Sequence, residues 1–183
     1  SRPQELKQKY EVLPHDIEWH MIGHLQTNKV KYIAPFVHLI ESLDSERLAE
    51  EIERQAAKRG IEIRVLAEVN IGREETKSGV MPENLRDFCL EIAKYPSIEL
   101  CGFMTMAPKC KDPTEYYNYF KETYNLSLDI WRNTLHNIQD PVFSMGMSDS
   151  YRPAIAAGAT IVRLGSSVFG RTTEDVMKMK NNI

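Results

Sequence analysis

Apolar positions along the chain alternate between two periods. Six short runs are nearly continuous in apolar or β-branched residues: IEWHMI (17–22), FVHLIE (36–41), IRVLAEVNI (63–71), IELCGFMTM (98–106), PVFSM (141–145) and ATIVRL (159–164). Such runs read as strands buried on both faces, as in a parallel sheet. Between them the spacing becomes helical. In DSERLAEEIERQAAKRG (44–60), Leu48, Ile52 and Ala56 form one apolar stripe, and Gly60 suits a helix stop. Asp44 is placed to cap the first turn, Glu46 suits its positive end, and Glu50 and Arg54 are spaced as an i, i+4 ion pair. Helical spacing also covers 82–95, 113–137 and 149–157, with a shorter turn over 26–31. The resulting βαβα order predicts a parallel sheet with right-handed crossovers. An open doubly wound sheet and a (β/α) barrel both satisfy it, and both keep ligand loops at the carboxyl ends of the strands.

Composition narrows the class without choosing the function. With 183 residues, 42% hydrophobic and 27% charged, the chain is expected to fold as one domain over 1–183. No repeat, low-complexity tract or linker divides it. The net charge of -3 argues against a general nucleic-acid binder. No apolar run approaches the ~20 residues of a membrane helix, and the polar start SRPQELKQKY does not read as a signal peptide. The three cysteines, Cys89, Cys101 and Cys110, show no CxxC spacing and read as reduced thiols of a cytoplasmic protein. Cys89 and Cys101 fall in apolar patterns and are expected to pack as small hydrophobes.

The chemistry gathers at the end of the chain. PVFSMGMSDS precedes the helical YRPAIAAG, and VRLGSSVFGR follows one strand later. Gly146 permits a tight turn, and Ser144, Ser148, Asp149 and Ser150 offer side-chain oxygens as caps. The amides of 147–149 are expected to point beyond the strand end, where a helix start binds anions. In the second loop Gly165 allows close backbone approach, Ser166 and Ser167 add hydroxyls, and a short helix is expected to begin. Barrel enzymes frequently build a phosphate site from the loops after strands seven and eight. If these are strands seven and eight, only four of the six expected before them are present. Strand starts run from 17 to 159 in five steps, about 28 residues per unit, so two further units would be roughly 57 residues. The pattern therefore predicts a barrel lacking its first two strands. Arg163, two residues before Gly165, would point inward and need an acceptor, from a structural carboxylate or a ligand.

WHMIGHLQTNKVK, LAEVNIGREETKSGV, CGFMTMAP and FSMGMSDSYRPAIAAGATIVRLGSSVFG resemble the pyridoxal phosphate homeostasis proteins and, more distantly, the amino-terminal barrel of alanine racemase. The resemblance runs from about Arg2 to Arg171. It implies a (β/α)8 barrel holding pyridoxal 5′-phosphate (PLP) at its carboxyl mouth, in vitamin B6 balance rather than as an established enzyme. By motif match, Ser148, Gly165 and Ser166 would hold the phosphate and Arg163 would face the pyridine nitrogen. PLP-dependent apo-enzymes are the implied partners. The family's Schiff-base lysine lies in a segment resembling AVSKT, which this sequence does not contain, so covalent attachment is not expected. An alanine racemase-like enzyme is the alternative. It needs a matched lysine and a second acid/base. A third reading is association through exposed strand edges.

The remaining candidates read as ordinary. Lys77 and Lys109 follow strands but read as solvated loop charges. His20 and His24 have metal-like spacing, but Gly23 and the strand end separate them and no acidic partner is evident, so no metal is expected. His24 and Asn28 are expected on the rim. Met104, Met106, Met145 and Met147 read as barrel filling, and Glu74 and Glu75 as exposed charge.

Overall fold

In the computed structural model, which describes residues 2–137 and 139–170, each of the six apolar runs contributes one parallel strand. They are β1 (His20–Met21), β2 (Leu39–Leu43), β3 (Ile63–Val69), β4 (Ile98–Thr105), β5 (Val142–Met147) and β6 (Ile161–Arg163). Each strand pairs in parallel with the next, in the order β1-β2-β3-β4-β5-β6. A doubly wound sheet reverses its strand order at a switch point. This sheet never does, so it is a wall of barrel type, a half-barrel. Among the described residues β1 and β6 do not pair with each other.

β1 is shorter than its apolar run. Among the described residues it has a neighbour on one side only, where the register is His20↔Leu39 and Met21↔Ile40. Just before it, the Trp19 carbonyl accepts the His38 amide at 2.8 Å. Ile17 is already 40% exposed.

The helices among the described residues are α1 (Pro3–Val12), α2 (Val30–Ile33), α3 (Glu46–Arg59), α4 (Leu85–Ile92), α5 (Pro113–Asp129), α6 (Tyr151–Ala157) and the short α7 (Ser166–Phe169), which starts at the carboxyl-end pocket. The α3 stripe is buried as its spacing predicts: Leu48, Ile52 and Ala56 are in the core, and Gly60 ends the helix in the left-handed region at φ 63°. Two of its polar expectations fail. Ser45, not Asp44, is the residue before the first turn, and Asp44 instead faces His24 and Ser45. Arg54 pairs with Glu51, three residues back, at 2.7 and 2.8 Å, rather than with Glu50. The 113–137 pattern is one helix to Asp129 and then a wider π-turn over Ile130–Thr134. That turn carries two adjacent buried residues, Ile130 and Trp131, and the Trp131 indole donates to the Gln139 carbonyl at 2.6 Å. α1 is not evident from hydrophobic spacing, because its anchors are sparse. Leu6 is buried, Tyr10 stacks on Phe36 at 4.1 Å, and Lys9 donates to Glu5 at 2.7 Å.

Strand alternation sorts the sheet into two faces. Ile63, Val65, Ala67 and Val69 join the large core under the helices. Leu66, with Leu39, Cys101 and Met104, forms a smaller cluster on the inner face. Cys89 and Cys101 are buried free thiols, as expected, and burial pushes the Cys89 thiol up to about 12. No helix among the described residues is long and apolar enough to cross a membrane.

Candidate functional site

The carboxyl ends of β5 and β6 bound a cavity of about 870 Å³. Its wall includes Ser148, Arg163, Gly165 and Ser166, so the four residues singled out by sequence share one pocket. Gly146 turns the chain off β5 at φ 88°. A Cβ there would lie 2.6 Å from the Ala154 side chain, so glycine lets α6 pack against the turn.

The two Gly/Ser loops converge on one hydroxyl. Ser148 Oγ accepts from the Gly165 amide and the Ser167 amide, each at 3.3 Å, and from Ser167 Oγ at 3.1 Å. Both amide contacts are long for hydrogen bonds. A Cβ built on Gly165 meets nothing within 4 Å, so what glycine keeps open here is the cavity side rather than a contact within the chain. α7 starts at Ser166, as the sequence predicts, although all of it is exposed.

The capping expectations for the first loop are corrected. None of its side chains caps α6. Ser150 Oγ instead accepts the Met147 amide at 3.1 Å, so that amide is not directed outward. Ser144 turns inward and Ser148 faces the second loop.

Arg163 finds its acceptors inside the wall. Nη1 donates to Ser144 Oγ at 2.7 Å and Nη2 to the Thr105 carbonyl at 2.9 Å. Ser144 Oγ in turn donates to Glu41 Oε2 at 2.5 Å, and Glu41 Oε1 meets His20 Nδ1 at 2.8 Å. One polar chain thus runs Arg163–Ser144–Glu41–His20 across β6, β5, β2 and β1. Glu41 is only 1% exposed, so its charge must be compensated, and Arg163 and the two hydrogen-bond partners do so. Burial lowers the Arg163 guanidinium from its ordinary value, while Glu41 and then Glu68 pull it back up. Sequence reading left Arg163's partner open and missed Glu41. The available signal was a carboxylate inside an otherwise apolar strand run.

A smaller cavity of about 310 Å³ adjoins the first and shares Met106, Lys109 and Met147 with it. Glu68 lines it and is 4% exposed. Burial pushes the Glu68 carboxyl up to about 7, Asp44 adds to the rise, and Arg163 opposes it. Lys77 and Lys109 are exposed on the loops beside it. Met104 and Met145 are buried filling as expected, but Met106 and Met147 are about half exposed at the mouth.

His20 and His24 do not come together. Each has an acidic partner that the sequence did not reveal: Glu41 for His20, and Asp44, at 3.2 Å, for His24. His24 and Asn28 line a separate shallow cavity beside α3, not the main pocket.

Residues 6–173 match the model of the alanine racemase N-terminal domain. A pyridoxal phosphate homeostasis protein of Aquifex aeolicus is 46% identical over 171 residues, 93% of this chain and 74% of that protein. The protein of the same name from Haemophilus influenzae is 33% identical over 85% of this chain and 65% of its own length. Among solved structures, PipY of Synechococcus elongatus PCC7942, determined with PLP bound, aligns at a TM-score of 0.81 and 27% identity. That alignment covers 93% of this chain and 79% of PipY. An alanine racemase of Clostridium difficile aligns at a TM-score of 0.74 and 17% identity, over 94% of this chain and 44% of that one, a likeness of fold.

Proposed function

The chain belongs to the alanine racemase N-terminal domain family and, within it, to the pyridoxal phosphate homeostasis proteins; on that premise we propose that it holds PLP without a covalent bond, as a carrier in intracellular vitamin B6 balance rather than as an enzyme. The observation that carries the reading is the convergence of the Gly165 and Ser167 amides on Ser148 Oγ at 3.3 Å. Two backbone donors leaning on one neutral hydroxyl are weakly satisfied. A phosphate oxygen is a stronger acceptor for both. Ser148, Gly165 and Ser166 hold the phosphate in this reading.

Arg163 would face the pyridine nitrogen of bound PLP. Its two bonds to Ser144 and Thr105 use two of about five guanidinium N–H donors. Glu41, behind Ser144, keeps it charged. A guanidinium keeps its protons at all working pH values, so it leaves the facing nitrogen without one. Bound PLP supplies an aldehyde and an electron-accepting ring, and an unprotonated ring is a weak acceptor. That suits holding and delivering the cofactor more than carbanion chemistry. PLP-dependent apo-enzymes are the recipients in this reading.

Titration of the purified chain with PLP, followed by the cofactor's absorbance, tests it. Ser166→Ala is expected to weaken binding by about 1 kcal/mol, roughly fivefold. Gly165→Ala, which fills the open side of the loop, is expected to weaken it further. Borohydride treatment should leave the intact mass unchanged. Equal affinity in both variants would remove the phosphate assignment, and an adduct on Lys77 or Lys109 would overturn non-covalent holding.

A further inference from the structure

His20 has a second neighbourhood that the cofactor reading does not use. Glu18, His20 and His38 each bring one ligand atom within 4.8 Å of the others. Glu18 and His20 are two apart in the extended chain entering β1, which places their side chains on one face. His38 immediately precedes β2, whose register sets Leu39 opposite His20. The two imidazoles stack with centroids 5.7 Å apart and planes 7° from parallel.

Glu41 lies behind His20. Its buried carboxylate takes the Nδ1 side at 2.8 Å, which fixes the tautomer with the Nε2 lone pair free. A carboxylate holding the far nitrogen of a histidine is the outer arrangement that orients ligand imidazoles and raises their basicity. We propose that Glu18, His20 and His38 form a binding site for a divalent transition-metal ion, zinc in the first instance, oriented by Glu41.

Two imidazoles and one carboxylate, with a fourth position for water, make a set of the kind zinc takes. His20 lies on the edge strand, Glu18 and His38 lie in the segments entering β1 and β2, and all three are at least partly open to solvent. One group competes with the ion. Arg64 Nη1 donates to His38 Nε2 at 2.9 Å. Arg64 also reaches Glu99 at 3.3 Å and Cys101 Sγ at 3.4 Å, so it keeps partners when it releases His38. The proposal goes beyond the cofactor reading and does not depend on it.

Calorimetric titration of the chain with zinc chloride, without PLP or phosphate, tests it. One ion per chain is expected. His20→Ala and His38→Ala should each weaken binding at least tenfold. Glu41→Gln should weaken it about 10- to 100-fold without abolishing it. Arg64→Ala should tighten it, a result that a merely structural His–Arg contact would not produce. His38 is partly exposed, so its variant keeps the test open if a change at Glu41 prevents folding. No saturable binding, or equal affinity in both histidine variants, overturns the site. So does unchanged or weaker binding in Arg64→Ala.

Discussion

Glu68 shows what one residue does when its strand turns it inward. Its carboxyl has no hydrogen-bond partner among the described residues and borders the smaller cavity, where burial pushes it up to about 7 from 4.5. Below about pH 4.5 both the folded and unfolded chains hold the proton, so the group is neutral to stability. Between about 4.5 and 7 the unfolded chain releases it and the folded one keeps it, so stability falls as pH rises through that window. Above about 7 the loss levels off, at roughly 3 kcal/mol by the usual ~1.4 kcal/mol per pH unit. Glu68→Gln, which cannot titrate, should match the parent at pH 4 and exceed it in urea unfolding at pH 8. Parallel stability curves from pH 4 to 8 would show that the carboxyl titrates in the ordinary range. The sequence displays Glu68 inside the run IRVLAEVNI, but neither its burial nor its distance from Arg163 is written there.

Among the elements, α3 separates what periodicity specifies from what it does not. The buried stripe follows from spacing, because residues four apart share a face on any helix. Ile52→Ala should therefore cost about 2–4 kcal/mol in denaturant unfolding. Gly60 meets nothing within 4 Å, so Gly60→Ala should cost about 1 kcal/mol for backbone conformation alone. Glu50→Ala should stay within about 0.5 kcal/mol, since Arg54 pairs with Glu51. A larger loss at Glu50 would show that the exposed pair exchanges partners in solution. Exposed ion pairs are nearly degenerate in energy, so spacing alone does not choose between i−3 and i−4. The end of α5 makes the same point in the core. Helical periodicity continues past Asp129, yet the chain takes a wider turn there, with the Trp131 indole on Gln139 and its ring edge-on to Phe103.

For the whole molecule, the strand order puts both ligand loops at one end of one wall, and loading that end should stabilise everything behind it. If PLP binds the folded chain and not the unfolded one, PLP at a hundred times its Kd adds about 2.7 kcal/mol. For a chain of this length that raises Tm by about 5–10 °C in a thermal scan. An unchanged midpoint at saturating PLP would mean that the pocket does not close on the cofactor. Among the described residues β1 and β6 each have one strand neighbour, so the reading in which strand edges pair with another chain has a direct test. Light scattering over a concentration series should then show mass rising above that of one chain, and a single-chain mass throughout would remove that reading.

The sequence by itself determined the number of the strands, their parallel sense, the buried face of α3 and the two glycine-serine loops after the last two strands. Each of these rests on local spacing or on the conformational demands of a short segment. Tertiary structure alone decided that Ser144 and Glu41, 103 residues apart, share a proton donor and an acceptor beneath Arg163. It likewise decided that His20 belongs with Glu18 and His38 rather than with His24. Those relations depend on which strand edges meet and which way each side chain turns off the sheet. Distance through space between segments so far apart along the chain has no signature in periodicity.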